Sequence, residues 1–431
     1  MDKSRYIRKC RLCESDKLKK IIDFGKTPLG NNLLLTKKSS LKSSTYPLEL
    51  LRCEKCSHFQ LSFEVTPSEL YATNYTYLSG IAPSFVKHFR EYTNWIIKKC
   101  KLKKNDIVLD IGSNDGTCLK PFKEKKINVL GIDPAKLPAQ IANRNGIKTI
   151  NNFFNKKSAI EIKKSYGEID FITSHNVLAH IGNIKDVFEN IYHLLKKDGY
   201  FCFEVGYFLK VLENNYFDTI YHEHLDYHHA KPITEYLSRL GFSIIHISEN
   251  KIQGGSIRIL CKKDGKNKIL KQPERFLLNE KKSIINNKFF LKNWQKKIFN
   301  NMKKLRGIIL DDLKNNKKII GYGAPTKAAL LLKLAKLEYE SINYTIEDNS
   351  LKINKYIPKT DVQIKPFKNI HSSKPNVMIV FAWNFASDII KKLKKNKIKE
   401  LRIIVPLPKV KIKYKEDQFV FYVKKMVKIK F

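Results

Sequence analysis

The chain has 431 residues, of which 42% are hydrophobic and 11% aromatic. That allows several domains of about 100–200 residues with buried cores, and it excludes a disordered or fibrous protein. No apolar run reaches the ~18 residues of a membrane helix, and MDKSRYIRKC does not read as a signal peptide, so a cytoplasmic protein is expected.

The net charge is +41, from 82 basic and 41 acidic residues. Only 11 of the basic residues are arginine, and the lysines run through every segment, from Lys17 to Lys428. Lysine is a solvated point charge, whereas bidentate reading of phosphates and bases calls for arginine. With Ile and Asn also abundant, the pattern reads as surface positions filled from an AT-rich genome. It argues against a specific nucleic-acid partner.

Residues 1–70 carry two C-x-x-C knuckles, Cys10/Cys13 and Cys53/Cys56. Four thiolates so grouped suit tetrahedral Zn²⁺, with disulfides the weaker alternative in a cytosolic chain. His58 reads as a core or surface residue rather than a ligand. Between the knuckles lie a turn-rich stretch, residues 25–32, and a strand pattern at 46–51. The other cysteines, Cys100, Cys118, Cys202 and Cys261, read as small buried hydrophobes.

An aromatic connector (71–77) leads to a helix pattern with Phe85, Phe89, Tyr92 and Ile96 at three- and four-residue spacing. From residue 105, short apolar runs alternate with helical stretches. Strands are expected at 107–111, 129–132, 171–173 and 200–205, the pattern of a helix-covered parallel sheet. A second such unit follows: a helix with Leu291, Trp294, Ile298, Met302, Leu305 and Ile309, then strands at 318–323, 344–346, 377–381 and 402–405. The expected architecture is α/β: a small N-terminal zinc-binding module, a Rossmann-like domain and a second Rossmann-like domain.

Asp110-Ile-Gly-Ser-Asn-Asp-Gly116 follows a strand and opens a helix, where Gly112 and Gly116 let a ligand approach the backbone. It is not the G-x-G-x-x-G of a pyrophosphate binder. Asp133, after the next strand, is placed to accept two ribose hydroxyls. Together these features point to S-adenosylmethionine (SAM) rather than NAD; the plain alternative is a strand–turn–helix with an acidic turn. The loop Ser174–His180 lacks the Asn-Pro-Pro of amino-methylating enzymes and the Pro-Cys of RNA cytosine-5 methylation.

Tyr221-His-Glu-His224 precedes His228 and His229. The spacing lacks the H-E-x-x-H that sets two imidazoles on one helix face, which favours proton transfer over a metal site or idle surface histidines. An adjacent Glu could orient the imidazole of a general base.

Zinc knuckles, SAM loop and histidine cluster in this order resemble the sugar C-methyltransferases that branch nucleotide-linked deoxysugars. The resemblance covers nearly the whole chain: Asp23–Asn31, Tyr46–Leu48 and Phe59–Leu61, then Gly112–Gly116 and Phe217–His224, then Gly254–Ser256, Gly321–Ala324 with Lys327, Ala382–Asn384 and Val405–Pro408. It implies a zinc-binding domain (1–70), a class I SAM methyltransferase domain (71–245) and a C-terminal domain holding the nucleotide sugar (246–431), in a monomer or homodimer. Cys10, Cys13, Cys53 and Cys56 would bind zinc. Asp110, Gly112, Ser113, Asn114, Gly116 and Asp133 would bind SAM, with Asn176 lining the donor–acceptor boundary. His224 would remove the C3 proton of a 4-keto sugar with Glu223 as its partner, while Tyr221, His180 and Tyr75 orient the sugar and its oxyanion. The chain departs from the family pattern at Gly206, at Gly80–Pro83 and at Glu347-Asp348. Methylation of a sugar oxygen, or an RNA-directed zinc protein, are the competing readings.

Overall fold

Apolar residues at every second position bury one face of the N-terminal sheet: Ile22 and Phe24 on β1 (Leu18–Pro28), Leu48 and Leu50 on β2 (Thr45–Cys53). The third strand, β3 (Phe59–Leu61), pairs antiparallel with β2, as β2 does with β1. This computed structural model describes residues 4–70, 78–81, 83–398, 400–413 and 419–421.

The central unit begins with α1 (Pro83–Cys100), which buries Phe89, Tyr92 and Ile96 as their spacing predicts. Its strands are β4 (Ile107–Ile111), β5 (Asn128–Ile132), β6 (Thr149–Ile150), β7 (Ile169–His175) and β8 (Leu195–Gly206). Those five are parallel. The chain then lends a short strand, β9 (Asp226–Tyr227), to β3 of the first sheet. It returns as β10 (Phe242–Asn250) and β11 (Ser256–Lys263), giving the order β10-β11-β8-β7-β4-β5-β6. Residues 246–263, grouped with the C-terminal segment in the sequence reading, therefore pair into this sheet: β11 runs antiparallel along β8 from Tyr200 to Gly206. Strand order reverses beside β4, with β5 on one side and β7 on the other, so a crevice opens at their carboxyl ends.

The last unit opens with α2 (Lys288–Lys314), burying the six apolar residues the heptad-like spacing singles out. Then come β12 (Ile319–Tyr322), α3 (Ala328–Ala335), β13 (Thr345–Glu347), β14 (Ile364–Pro366), β15 (Val377–Val380), β16 (Arg402–Val405), β17 (Lys411–Lys413) and β18 (Phe419–Phe421). The order is β14-β13-β12-β15-β16-β17-β18, parallel as far as β16. One buried apolar cluster runs from Leu50 through Phe203 to Ile319 and Val380, so the three units share a core. Among the described residues no helix is long and apolar enough to cross a membrane.

Candidate active site

The residues expected to hold SAM gather where β4 ends. Gly112 has φ +74°, and a Cβ added there would lie 2.2 Å from Val177 Cγ2, so the loop after β4 presses directly on the loop after β7. Gly116, at φ +78°, packs on Ile147 and turns the chain into the next helix. Asn114 donates its backbone N–H to Asp133 Oδ2 (2.9 Å), and Ala135 donates to Oδ1 (2.8 Å), which fixes Asp133 at the end of β5. Burial raises the Asp133 carboxyl above its usual range. Asp110 is fully enclosed; burial first, and Asp133 second, push its pKa well up, and its Oδ1 has no hydrogen-bond partner among the described residues. Ser113 Oγ is likewise buried and without a partner among them. Orphaned buried oxygens beside a glycine cradle fit a ligand carrying N–H donors and positive charge, as SAM does. Asn176 follows β7 with φ +56° and donates its N–H to the Glu204 carbonyl (2.8 Å).

The turn 221–224 meets the same loop after β7 on which Gly112 packs. His224 Nδ1 lies 3.0 Å from the Thr219 carbonyl and must be the protonated nitrogen. Its Nε2 therefore carries the lone pair and accepts from the Tyr221 hydroxyl at 2.8 Å. Burial, then the neighbouring His180, hold the His224 pKa well below the ordinary imidazole value. His180 stands edge-on to it, ring centroids 4.8 Å apart, and burial lowers its pKa to about 4. Leu225 N–H bonds the Ala179 carbonyl (2.7 Å), tying the two loops together. The arrangement is a neutral imidazole with one basic nitrogen in a largely desolvated site.

The expected Glu223–His224 pair is not formed. Glu223 Oε1 accepts instead from Asn31 Nδ2 at 2.7 Å, while the Thr219 carbonyl orients the imidazole. Burial raises Glu223 to about 7. The sequence reading missed Thr219 because a backbone carbonyl leaves no mark on residue type. It also assigned no role to Asp218, whose Oδ2 accepts from Trp383 Nε1 at 2.5 Å and faces Lys327 Nζ at 3.5 Å. Lys327 also sits 4.4 Å over the Trp383 ring, which lies against Tyr216. Both C-terminal segments were legible as motifs, but their meeting with residue 218 was not. Two other histidines of the cluster are structural: His222 bonds the Tyr46 carbonyl, and His229 joins the Ser57 carbonyl to Glu280. Tyr75 lies outside the described residues.

The four knuckle sulfurs all lie within 4.8 Å of one another, with Cys10–Cys56 and Cys13–Cys53 each at 3.5 Å. A ZnS₄ tetrahedron with ~2.3 Å arms has edges of ~3.8 Å, so the cluster fits zinc. His58 is no ligand; it is buried 2.7 Å from Asp226 Oδ1. This closed site holds the hairpin that carries residues 18–53.

Three families match the chain in order: "Putative zinc binding domain" at 10–71, "Methyltransferase domain" at 86–247 and "C-methyltransferase C-terminal domain" at 251–408. The C-methyltransferase NovU of Streptomyces niveus is 28% identical over 413 residues, 95% of this chain and 97% of that protein. Similar solved structures include an S-adenosylmethionine-dependent methyltransferase from Clostridium acetobutylicum (16% identity, 42% of this chain and 92% of that one, TM-score 0.33). Another is magnesium protoporphyrin IX methyltransferase from Synechocystis with bound SAM (12%, 46% and 89%, TM-score 0.33).

Proposed function

We propose that the chain, which matches SAM-dependent C-methyltransferases along nearly its whole length, methylates C3 of a nucleoside-diphosphate 4-keto-deoxysugar through an enolate. The observation that carries this reading is His224: a neutral imidazole whose Nδ1 is occupied by a carbonyl and whose Nε2 is basic. Desolvation keeps the imidazole unprotonated at neutral pH and also weakens it as a base, so removal of a proton next to a ketone depends on donors that stabilise the enolate oxygen as it forms.

In this reading Nε2 takes the C3 proton while the electron pair of the C–H bond moves into the enolate. Tyr221, whose hydroxyl lies against Nε2, turns its O–H to the developing oxyanion, and His180 supports it in a largely water-excluded site. Bound SAM supplies a methyl on a sulfonium that leaves as a neutral thioether. Asp110, Ser113, Asn114 and Asp133 would hold the donor, and Gly112 lets the loop after β4 pack directly on Val177 of the loop after β7. The enolate carbon would be the acceptor of that methyl, the S–CH₃ bonding pair staying with sulfur. Lys327 and Trp383 bring the C-terminal domain against the catalytic turn, in keeping with a nucleotide-sugar partner spanning both units.

The test is incubation with a thymidine-diphosphate 4-keto-6-deoxyhexose in deuterated water without SAM. Deuterium entering C3, lost in His224→Asn, and a methyl gain at the same carbon with SAM are expected. A methyl located on oxygen, with no exchange, would refute the enolate route.

A further inference from the structure

We propose that Asn31, carried by the zinc-bearing N-terminal domain, is a positioning residue that orients the Glu223 carboxylate, and that Thr326 of the C-terminal domain locks Asn31 in the orientation needed. The inference rests on the reading of the 221–224 turn as the catalytic loop, and it gives the N-terminal domain a part in the site beyond zinc binding.

The amide geometry is decisive. An ionised Glu223 can only accept, so the NH₂ end of the amide is the one that meets its Oε1 at 2.7 Å. The oxygen end is then left to accept from Thr326 Oγ1 at 2.6 Å, which holds the amide in that sense. A flipped amide would set two acceptors against each other. The turn preceding Asn31 is also pressed onto the C-terminal domain: a Cβ on Gly30 would lie 1.8 Å from the Thr326 carbonyl oxygen, so only glycine lets the two backbones meet. Beyond the turn, Leu34 exchanges both backbone hydrogen bonds with Tyr356, and Ser40 Oγ bonds the carbonyls of Ile357 and Thr360. Residues 30–40 are thus laid along the third domain, and Asn31 reaches from there to the second.

Glu223 has little else to direct it. Burial and the Asn31 amide are the two influences on its carboxyl, the first raising its pKa and the second lowering it. Among the described residues Asn31 is the donor to its carboxylate, while the neighbouring His180 meets the Glu223 backbone, His224 the Tyr221 hydroxyl and Lys327 the Asp218 carboxylate. A carboxylate buried with one donor adopts the rotamer that donor sets. The adjacent Thr326–Lys327 pair therefore places two domain contacts on the catalytic segment at once: Thr326 through Asn31 to Glu223, and Lys327 directly to Asp218.

The test reads Glu223 itself, so it holds whatever the substrate proves to be. In the zinc-loaded full chain, the protonated-carboxyl infrared band lost on Glu223→Gln is titrated in the wild type, Asn31→Ala and Thr326→Val. Losing the donor disfavours the carboxylate, so the midpoint should move up in Asn31→Ala and, by a smaller step, in Thr326→Val. Turnover with the 4-keto sugar should fall about tenfold or more in Asn31→Ala, the loss of a hydrogen bond to a charged group, with zinc content and SAM affinity unchanged. Asn31→Ala on top of Glu223→Gln should add little. An unmoved midpoint, or full additivity of the two substitutions, would overturn the proposal. Absence of C3 exchange in the wild type, with the midpoint still moved, would instead sink the substrate reading alone.

Discussion

Replacing Gly112 by alanine tests the donor cradle quantitatively. The backbone there has φ +74°, and an L side chain in that region costs about 1–2 kcal/mol. The added Cβ would stand 2.2 Å from Val177 Cγ2, well inside the ~3.5 Å of ordinary carbon contact, so one loop must move by about 1 Å. Overpacking of that kind costs about 1–3 kcal/mol. Together the penalty is about 2–5 kcal/mol, a thirtyfold to few-thousandfold loss of SAM affinity if the bound loop conformation bears it all. Titration calorimetry with SAM on Gly112→Ala, Val177→Ala and the double variant separates the two contributions. Val177→Ala removes both methyls that crowd the site and leaves its Cβ at 3.2 Å, so in that background Gly112→Ala should retain mainly the conformational part, about 1–2 kcal/mol. Equal penalties in both backgrounds, or none in either, would refute the claim that these two loops abut.

Zinc should be required for the N-terminal sheet: chelation, or Cys10→Ser, should expose residues 4–70 to hydrogen exchange, since structural zinc sites contribute about 10–16 kcal/mol to folding. Retained protection in metal-free protein would contradict this. Lys327→Met should destabilise by up to about 3–5 kcal/mol in denaturant unfolding because it strips the cation from the fully buried Asp218, and Asp218→Asn should recover most of the loss. Persistence of the full loss in the double variant would mean Lys327 acts otherwise. His180 is held at about 4 by burial, so below an unfolded value near 6.5 the unfolded chain binds the proton the folded one refuses. Its contribution is complete above about pH 6.5 and is lost as pH falls toward 4, so His180→Gln should gain on the wild type by about 1.4 kcal/mol per pH unit descended. A pH-independent difference between the two would show that His180 titrates normally.

Much of the donor side was legible in the chain because its determinants are local. Strand–glycine–acid patterns encode a turn, a left-handed φ and a buried carboxylate within a few residues, and Gly112, Gly116, Asp110 and Asp133 stand where those patterns put them. The knuckles are equally local, and the apolar spacing of α2 sets its buried face. The SAM-dependent methyltransferase class was also legible, since the glycine loop and acidic turn lie within one strand–turn–helix segment.

What tertiary structure decided is which partners those groups acquire. Adjacency suggested that Glu223 serves His224, but a side chain cannot easily reach back to its chain neighbour across a tight turn, and the Thr219 carbonyl fills that role. Glu223 is left to Asn31, 192 residues away, and Asp218 to Trp383, 165 residues away. The strands beyond residue 245 joined the central sheet for a similar reason: β8 offers an open edge that β11 can pair, an edge defined by the folded sheet and not by any run of residues. Period and turn chemistry act over one element, whereas hydrogen-bond pairing between elements depends on how three units dock, and that is written in no single segment.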